Sequence, residues 1–283
     1  MADAGRQFAV TPLQAGMAFN AATQPHSGVD VQHVEVSVTG AFSAERWESA
    51  WRQVIDAVAI LRGCFSSNAD AVSCVDAGAY QLPVDQVDLS GLSSAESELR
   101  WSELVRADRV KGFDLHAAPL MRFVIASPAD GQTRILWSFH HAILDGRSFP
   151  IVLDLVLGVY LDGAAVAENP SRAFEDFVSL QAELDTRPAL DAWASRLAAV
   201  EDTSTFNLRS PEPVAESGPA VSAVEAHLEG VQSAHLVAMA HELDVSINNV
   251  IQASWGLLLH HYSQNETVIF GTTRACRLSL IHI

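Results

Sequence analysis

The chain has 283 residues, 49% of them apolar, with a mean hydropathy of +0.15, enough for one large or two medium domains and unlike a disordered or collagen-like chain. The 34 acidic and 17 basic side chains give a formal charge of −17, which repels phosphate backbones and anionic bilayers and so excludes nucleic acid and membrane surfaces as expected partners. Cys64, Cys74 and Cys276 are scattered and make neither a disulfide framework nor a CxxC metal site, and no run approaches the roughly 18 apolar residues of a membrane span; a soluble, cytoplasmic protein is expected.

Residues 34–39 alternate apolar and polar with period two, as a half-buried strand does, and Gly40 ends the run. Ser43 then caps an expected helix in which Trp47, Trp51, Val54, Ile55 and Val58 share one face, with Phe42 and Trp47 placed as a hydrophobic staple. Ser93 and Glu96 have capping-box spacing before a charged helix to about Arg109, expected to be a solvated face with a purely structural role. Residues 119–126 and 134–140 read as a hairpin about the turn Pro128-Ala129-Asp130-Gly131. Asp145-Gly146 make the next turn, Ser148 is the expected cap, and residues 149–161 form a largely apolar helix stopping at Gly163. Helical spacing continues through Phe174, Phe177, Leu180 and Leu184 and again to about Leu197. The polar, proline-bearing stretch 201–220 reads as a crossover or linker. Beyond it we expect a strand at 221–228, a helix at 233–243, a long helix using Ile247, Val250, Ile251, Trp255, Leu258, Leu259 and Tyr262, and a strand at 267–271. Strands and helices alternate, so the fold class is α/β.

The informative segment is His140-His141-Ala142-Ile143-Leu144-Asp145-Gly146. On a strand, Ile135, Trp137, Phe139 and His141 point one way and Leu136, Ser138 and His140 the other, so the two imidazoles diverge. A shared metal ion is thereby disfavoured, and no further ligands fall at a recognisable spacing. One histidine should be working and the other structural, unless both are simply hydrogen-bonded core residues. A histidine at a strand end, beside a turn that opens a helix, lies where free backbone N–H groups can face a developing oxyanion. Arg122 shares a strand face with Leu120 and Val124, which predicts a buried guanidinium. A buried charge must be paired, and the expected partner is Asp145, in a structural role.

The chain resembles the condensation domains of nonribosomal peptide synthetases, within the broader chloramphenicol-acetyltransferase-like fold. The resemblance rests on several segments in family order. They begin with Thr11-Pro12-Leu13-Gln14-Ala15-Gly16-Met17, then Ile60-Leu61-Arg62-Gly63-Cys64-Phe65 with Gly63 in place of the usual threonine. Phe113-Asp114-Leu115 with Ala118-Pro119-Leu120 and Arg122 follow, then the complete HHxxxDG motif at residues 140–146 with Ser148 after it. Downstream, Phe174-Glu175-Asp176-Phe177, Ser246-Ile247-Asn248 and the stretch from Val268-Ile269-Phe270-Gly271 to Arg277 also match, with Cys276 where a glycine is usual.

The resemblance implies a two-lobe fold and amide formation between a donor thioester and an aminoacyl amine. Both substrates would be presented on phosphopantetheine arms of carrier domains in adjacent synthetase modules, with no tightly bound cofactor. It carries His141 over as the catalytic residue, acting as general base or positioning the amine, and Gly146 as a backbone donor to the oxyanion. His140, Asp145 and Arg122 are expected to support the site. Family members are longer, so we expect a complete first lobe at 1–175, an incomplete second lobe at 176–277 and a non-family tail at 278–283. Another acyltransferase of this fold, using coenzyme A or an alcohol acceptor, an epimerisation domain, and an inactive carrier-docking lobe remain alternatives. A heterocyclising relative is disfavoured because aspartates replace the histidines there. The doublet His260-His261 reads as surface or lobe packing.

Overall fold

The computed structural model describes residues 7–24, 27–67, 72–166, 172–198, 200 and 226–273. The chain divides into two compact units, Met1–Leu184 and Asp185–Ile283. This division lies later than the expected 175/176 boundary, because one continuous helix crosses that point and packs with the first strand.

In the first unit, β1 (Gln7–Ala9), α1 (Pro12–Thr23), β2 (Val31–Thr39) and α2 (Ala44–Ala57) lead into a 3-10 turn, Ala59–Arg62. β3 (Gly63–Ser67), β4 (Val72–Asp76), β5 (Val84–Leu89) and α3 (Ser94–Lys111) follow. β6 (Met121–Pro128), β7 (Gln132–His140), α4 (Ser148–Asp162) and α5 (Arg172–Glu183) complete it. One sheet has the order β1-β4-β3. The other has the order β2-β7-β6-β5, antiparallel except for β5 and β6, which run parallel with α3 between them in sequence. The class is α/β, as expected.

The hairpin β6–β7 sits in the middle of the larger sheet and is buried on both faces, so β6 is an unbroken buried run at residues 121–126 instead of an alternating one. Beneath one face lie α2 and α4. Trp51 packs 4.5 Å from Trp137 and 4.8 Å from Phe123 between ring centroids, all three essentially inaccessible. Of the expected stripe, Trp47, Trp51, Val54 and Ile55 are buried and Val58, at the end of α2, is half-buried, and Phe42 lies 6.0 Å from Trp47. Each such side chain contributes about 1.5–3 kcal/mol by leaving water. On the other face Leu89, Trp101, Val124, Ala126 and Leu136 form a smaller cluster with α3. The capping box of α3, Ser93 with Glu96, is present, but this helix is more than a solvated face, since it buries Ser97, Trp101 and Asp108.

The second unit contains α6 (Arg187–Leu197), α7 (Gly230–Glu242) and α8 (Ile247–Ser263), with Ala240, Leu259 and Ser263 buried between and beside the last two. His260 and His261 are exposed on α8, as expected. Residues 267–271 are irregular instead of a strand. A strand needs a partner ladder, and among the described residues of this unit there is none to supply one. Of the strand expected at 221–228, residues 226–228 are irregular and the rest lie outside the described residues, as do the 201–220 linker, Cys276, Arg277 and the tail 278–283. No described helix is long and apolar enough to cross a membrane.

Candidate active site

Val31 at the start of β2 pairs with His140 at the end of β7. The chain then leaves the ladder, and the His141 N–H donates to the Asp30 carbonyl at 2.7 Å. Asp30 has φ 66° and Gly28 φ 70°. At Gly28 a Cβ would stand 2.7 Å from the Arg109 Cγ, so both backbone angle and close approach call for glycine there. The turn is held from a third side by Gln14 of α1, whose Nε2 donates to the Ala142 carbonyl at 2.9 Å while its Oε1 accepts from the Thr11 N–H. Two separate segments, at Gln14 and at Asp30, thus converge on the residues following β7.

The two imidazoles have different surroundings, since His140 ends β7 and His141 lies in the turn that follows. His140 is 3% exposed, its Nδ1 accepts from the Ala142 N–H at 3.2 Å, and the edge of Phe113 faces it. Burial pushes its pKa down to about 4; Asp30 opposes this and His141 adds to it. With Nδ1 accepting, the ring is neutral. His141 is half-buried, and its Nδ1 lies 2.7 Å from the Leu144 carbonyl. A carbonyl only accepts, so Nδ1 carries the hydrogen, and in the neutral ring the lone pair is therefore on Nε2. That fixes the tautomer required of a base or an amine acceptor.

Asp145 accepts from the Arg147 N–H at 3.1 Å and from the Ser148 N–H and Oγ–H at 2.8 and 2.6 Å. It therefore caps α4, where Ser148 was expected to do so. Gly146 is exposed, its φ is not positive, and a Cβ would meet nothing within 4 Å. Its N–H makes no hydrogen bond among the described residues.

The expected pair between Arg122 and Asp145 is not formed. Arg122 is buried, as predicted, but its Nε donates to Asp108 Oδ1 at 2.5 Å, Nη2 to the Asp108 carbonyl at 2.7 Å and Nη1 to the Gly112 carbonyl at 2.6 Å. The reason is the face. Arg122 stands beside Val124 on the side of the sheet that α3 covers, so the acid comes from α3, while Asp145 lies beyond the end of β7. The other Asp108 oxygen accepts from His33 Nε2 at 3.0 Å, and His33 Nδ1 accepts in turn from Arg109 at 3.3 Å. Burial alone would raise the Asp108 carboxyl, but the bonds from His33 and Arg122 outweigh it and hold the group well below the usual carboxylate range. The guanidinium also lies 4.1 Å over Phe113, the ring that faces His140, so Arg122 does reach the doublet, one ring removed. Sequence reasoning missed Asp108 and Gln14. Asp108 lies seven residues after Trp101, two helical turns along the same face, and that spacing was the available signal.

Residues 5–281 match the family model for the condensation domain. The chain is 26% identical over 271 residues to tyrocidine synthase 2 of Brevibacillus parabrevis, covering 94% of this chain and 7% of that protein. It is 23% identical to surfactin synthase subunit 3 of Bacillus subtilis (strain 168), covering 94% of this chain and 21% of that one. Among solved structures, a four-domain nonribosomal peptide synthetase bound to AMP and glycine aligns with a TM-score of 0.78 at 19% identity, over 93% of this chain and 20% of that one. The starter condensation domain of rhizomide synthetase aligns at 0.59 and 21% identity, over 71% of this chain and 50% of that one. The chain thus spans at most half the length of any of these proteins. The match to the family model, by contrast, starts before β1 and continues past α8, leaving no described element of either unit outside it: the chain belongs to the condensation-domain family.

Proposed function

We propose that this chain supplies the histidine-bearing lobe of an acyltransferase that forms an amide between two carrier-bound substrates. The donor is an acyl thioester and the acceptor an aminoacyl thioester, each on the phosphopantetheine arm of a carrier domain of a larger, cytoplasmic synthetase. The first unit acts as one lobe of a chloramphenicol-acetyltransferase-like fold, and the second unit as the start of the other. The observation that carries this reading is His141, held by the Leu144 carbonyl in the tautomer that leaves Nε2 as acceptor at the end of β7.

The acceptor nitrogen attacks the donor carbonyl, Nε2 orients that nitrogen and takes up its proton as the C–N bond forms, and the proton leaves on the departing thiolate. An α-amine with a pKa of about 7.7–8.0 is already partly neutral near pH 7, so orientation contributes alongside proton uptake. The Gly146 N–H donates to the developing oxyanion. His140, Asp145 and Arg122 support this turn from below, by packing, capping α4 and holding Phe113.

The test uses the full-length synthetase with carrier-bound donor and acceptor. His141→Ala lowers amide formation by roughly 10²–10⁴-fold, the range of a positioned acid–base group, and leaves thermal melting unchanged. Turnover near that of the parent overturns the assignment. Equal efficiency with coenzyme A donors favours the coenzyme A acyltransferase alternative.

A further inference from the structure

Arg109, in the last turn of α3, reaches the residues that precede and open β2. Its Nη1 donates to the Val31 carbonyl at 2.9 Å and its Nη2 to His33 Nδ1 at 3.3 Å. Its aliphatic stem lies against Gly28, close enough that a Cβ there would stand 2.7 Å from Cγ and 3.4 Å from Cδ. Gly28 and Val31 are the two ends of one turn, in which the Val31 N–H donates to the Gly28 carbonyl at 3.4 Å. A single side chain thus touches both ends, its stem on one and its head on the other. A charged guanidinium on a carbonyl is a stronger anchor than a neutral donor, and its planar fork serves two acceptors at once.

What this turn carries is Asp30. It is held at φ 66°, an angle uncommon for a residue with a side chain, and its carbonyl accepts from the His141 N–H at 2.7 Å. That bond lies one step past the Val31–His140 pair and is the last rung between the two segments. The Leu144 carbonyl orients the His141 ring, but the rung to Asp30 sets where its backbone sits. Any shift of the Gly28–Val31 turn moves the Asp30 carbonyl and His141 with it.

We propose that Arg109 is a positioning residue for the reaction: by clamping Gly28 and Val31 it fixes the Asp30 carbonyl, and through it the backbone of His141, so that Nε2 meets the acceptor amine in line with the donor carbonyl. The proposal rests on the amide-forming reading above. Arg109 acts through a carbonyl and a main-chain N–H, at a distance from the reacting atoms. Its loss therefore slows the reacting complex and leaves substrate binding nearly as it was. The side chain is exposed, and such side chains contribute little to folding, so the effect is separable from stability.

The test is steady-state turnover of the full-length synthetase, with the donor carrier supplied as a separate protein so that KM is defined, together with hydrogen–deuterium exchange of the same protein read by mass spectrometry. Arg109→Ala lowers kcat about 10–100-fold and leaves KM for the donor carrier within about twofold. Exchange at the His141 amide becomes about tenfold faster, while the Phe123 amide, bonded to the Pro83 carbonyl at 2.9 Å, keeps its rate. Arg109→Lys, which keeps the stem and one donor, recovers part of both. Arg106→Ala, which removes an exposed charge one turn earlier on α3, changes neither. Gly28→Ala drives a methyl into the Arg109 stem and lowers kcat as well. Combined with Arg109→Ala it lowers kcat by less than the product of the two single effects, because both act through one turn. An unchanged kcat, a raised KM in place of a lowered kcat, an unchanged His141 exchange rate, or fully multiplicative losses each overturn the proposal. A parent synthetase that forms no amide overturns the functional reading, and is told apart because it fails before any substitution is made.

Discussion

The two faces of the β2-β7-β6-β5 sheet are both buried, yet they are built from different chemistry. Toward α2 and α4 the packing is aromatic and carries no charge, and it leaves the indole N–H groups of Trp47, Trp51 and Trp137 without acceptors among the described residues. Toward α3 the one buried indole, Trp101, donates to Glu35 at 2.7 Å, and beside it lies the chain Arg109–His33–Asp108–Arg122. An unsatisfied N–H costs about 1–3 kcal/mol, which a large apolar contact area can absorb, whereas an unpaired charge at such depth costs several kcal/mol more and has to be answered by a specific partner. The aromatic face therefore stabilises by area and the other by pairing, and the two should respond differently to the same kind of damage.

The largest expected effects come from single truncations on each face. Trp51→Ala opens a cavity and costs about 3–5 kcal/mol. Asp108→Ala leaves Arg122 stranded and costs about the same, 3–5 kcal/mol. The faces separate when both partners are replaced: Asp108→Leu with Arg122→Met recovers most of the loss, because an apolar pair of similar volume is often neutral or stabilising by about 1–4 kcal/mol. Urea melts of the single and double variants check this. A double variant as weak as Asp108→Ala would show that the ionic chain specifies the packing of α3 itself and does more than neutralise Arg122.

His140 gives the next effect. The folded chain holds it neutral down to about pH 4, while the unfolded chain protonates it near 6.5, so protons favour unfolding. Its contribution is fully present above about pH 6.5 and is lost as the pH falls toward about 4, by about 3 kcal/mol in total. Melts at pH 7 and pH 5 should differ less in His140→Gln than in the parent. An unchanged pH slope assigns the acid sensitivity to other groups.

The smallest effect is at Asp145. As the cap of α4 it contributes about 1 kcal/mol, well below Asp108. Asp145→Ala melts a few degrees below the parent, and Asp145→Asn, which keeps an acceptor, recovers most of the difference. A loss as large as that of Asp108→Ala would place a buried ion pair at Asp145 after all.

The aromatic face was legible because its signal is periodicity: Trp47, Trp51, Val54 and Ile55 fall on one stripe of α2 and could be buried only together. The paired face was not. Arg122 was read as buried, but which acid answers it depends on which helix crosses above, and α3 carries so many solvated charges that Asp108 does not stand out. Likewise Asp145 and Ser148 are both good caps three residues apart, and only the folded chain chooses between them. The turn around His141 draws on Gln14 and on the carbonyls of Asp30 and Leu144, contacts that no local pattern announces.

The strand order has a consequence for biosynthesis. β2 is an edge strand whose one neighbour in the sheet is β7, roughly a hundred residues later. At about 5–20 residues per second, a ribosome leaves the valine-rich segment Val31, Val34, Val36 and Val38 without its ladder for roughly 5 to 20 s after it is made. During that interval a nascent chain presents an open strand edge to other chains, the arrangement from which aggregation starts. Yield on expression should therefore depend on translation speed between β2 and β7 as much as on the stability of the finished lobe.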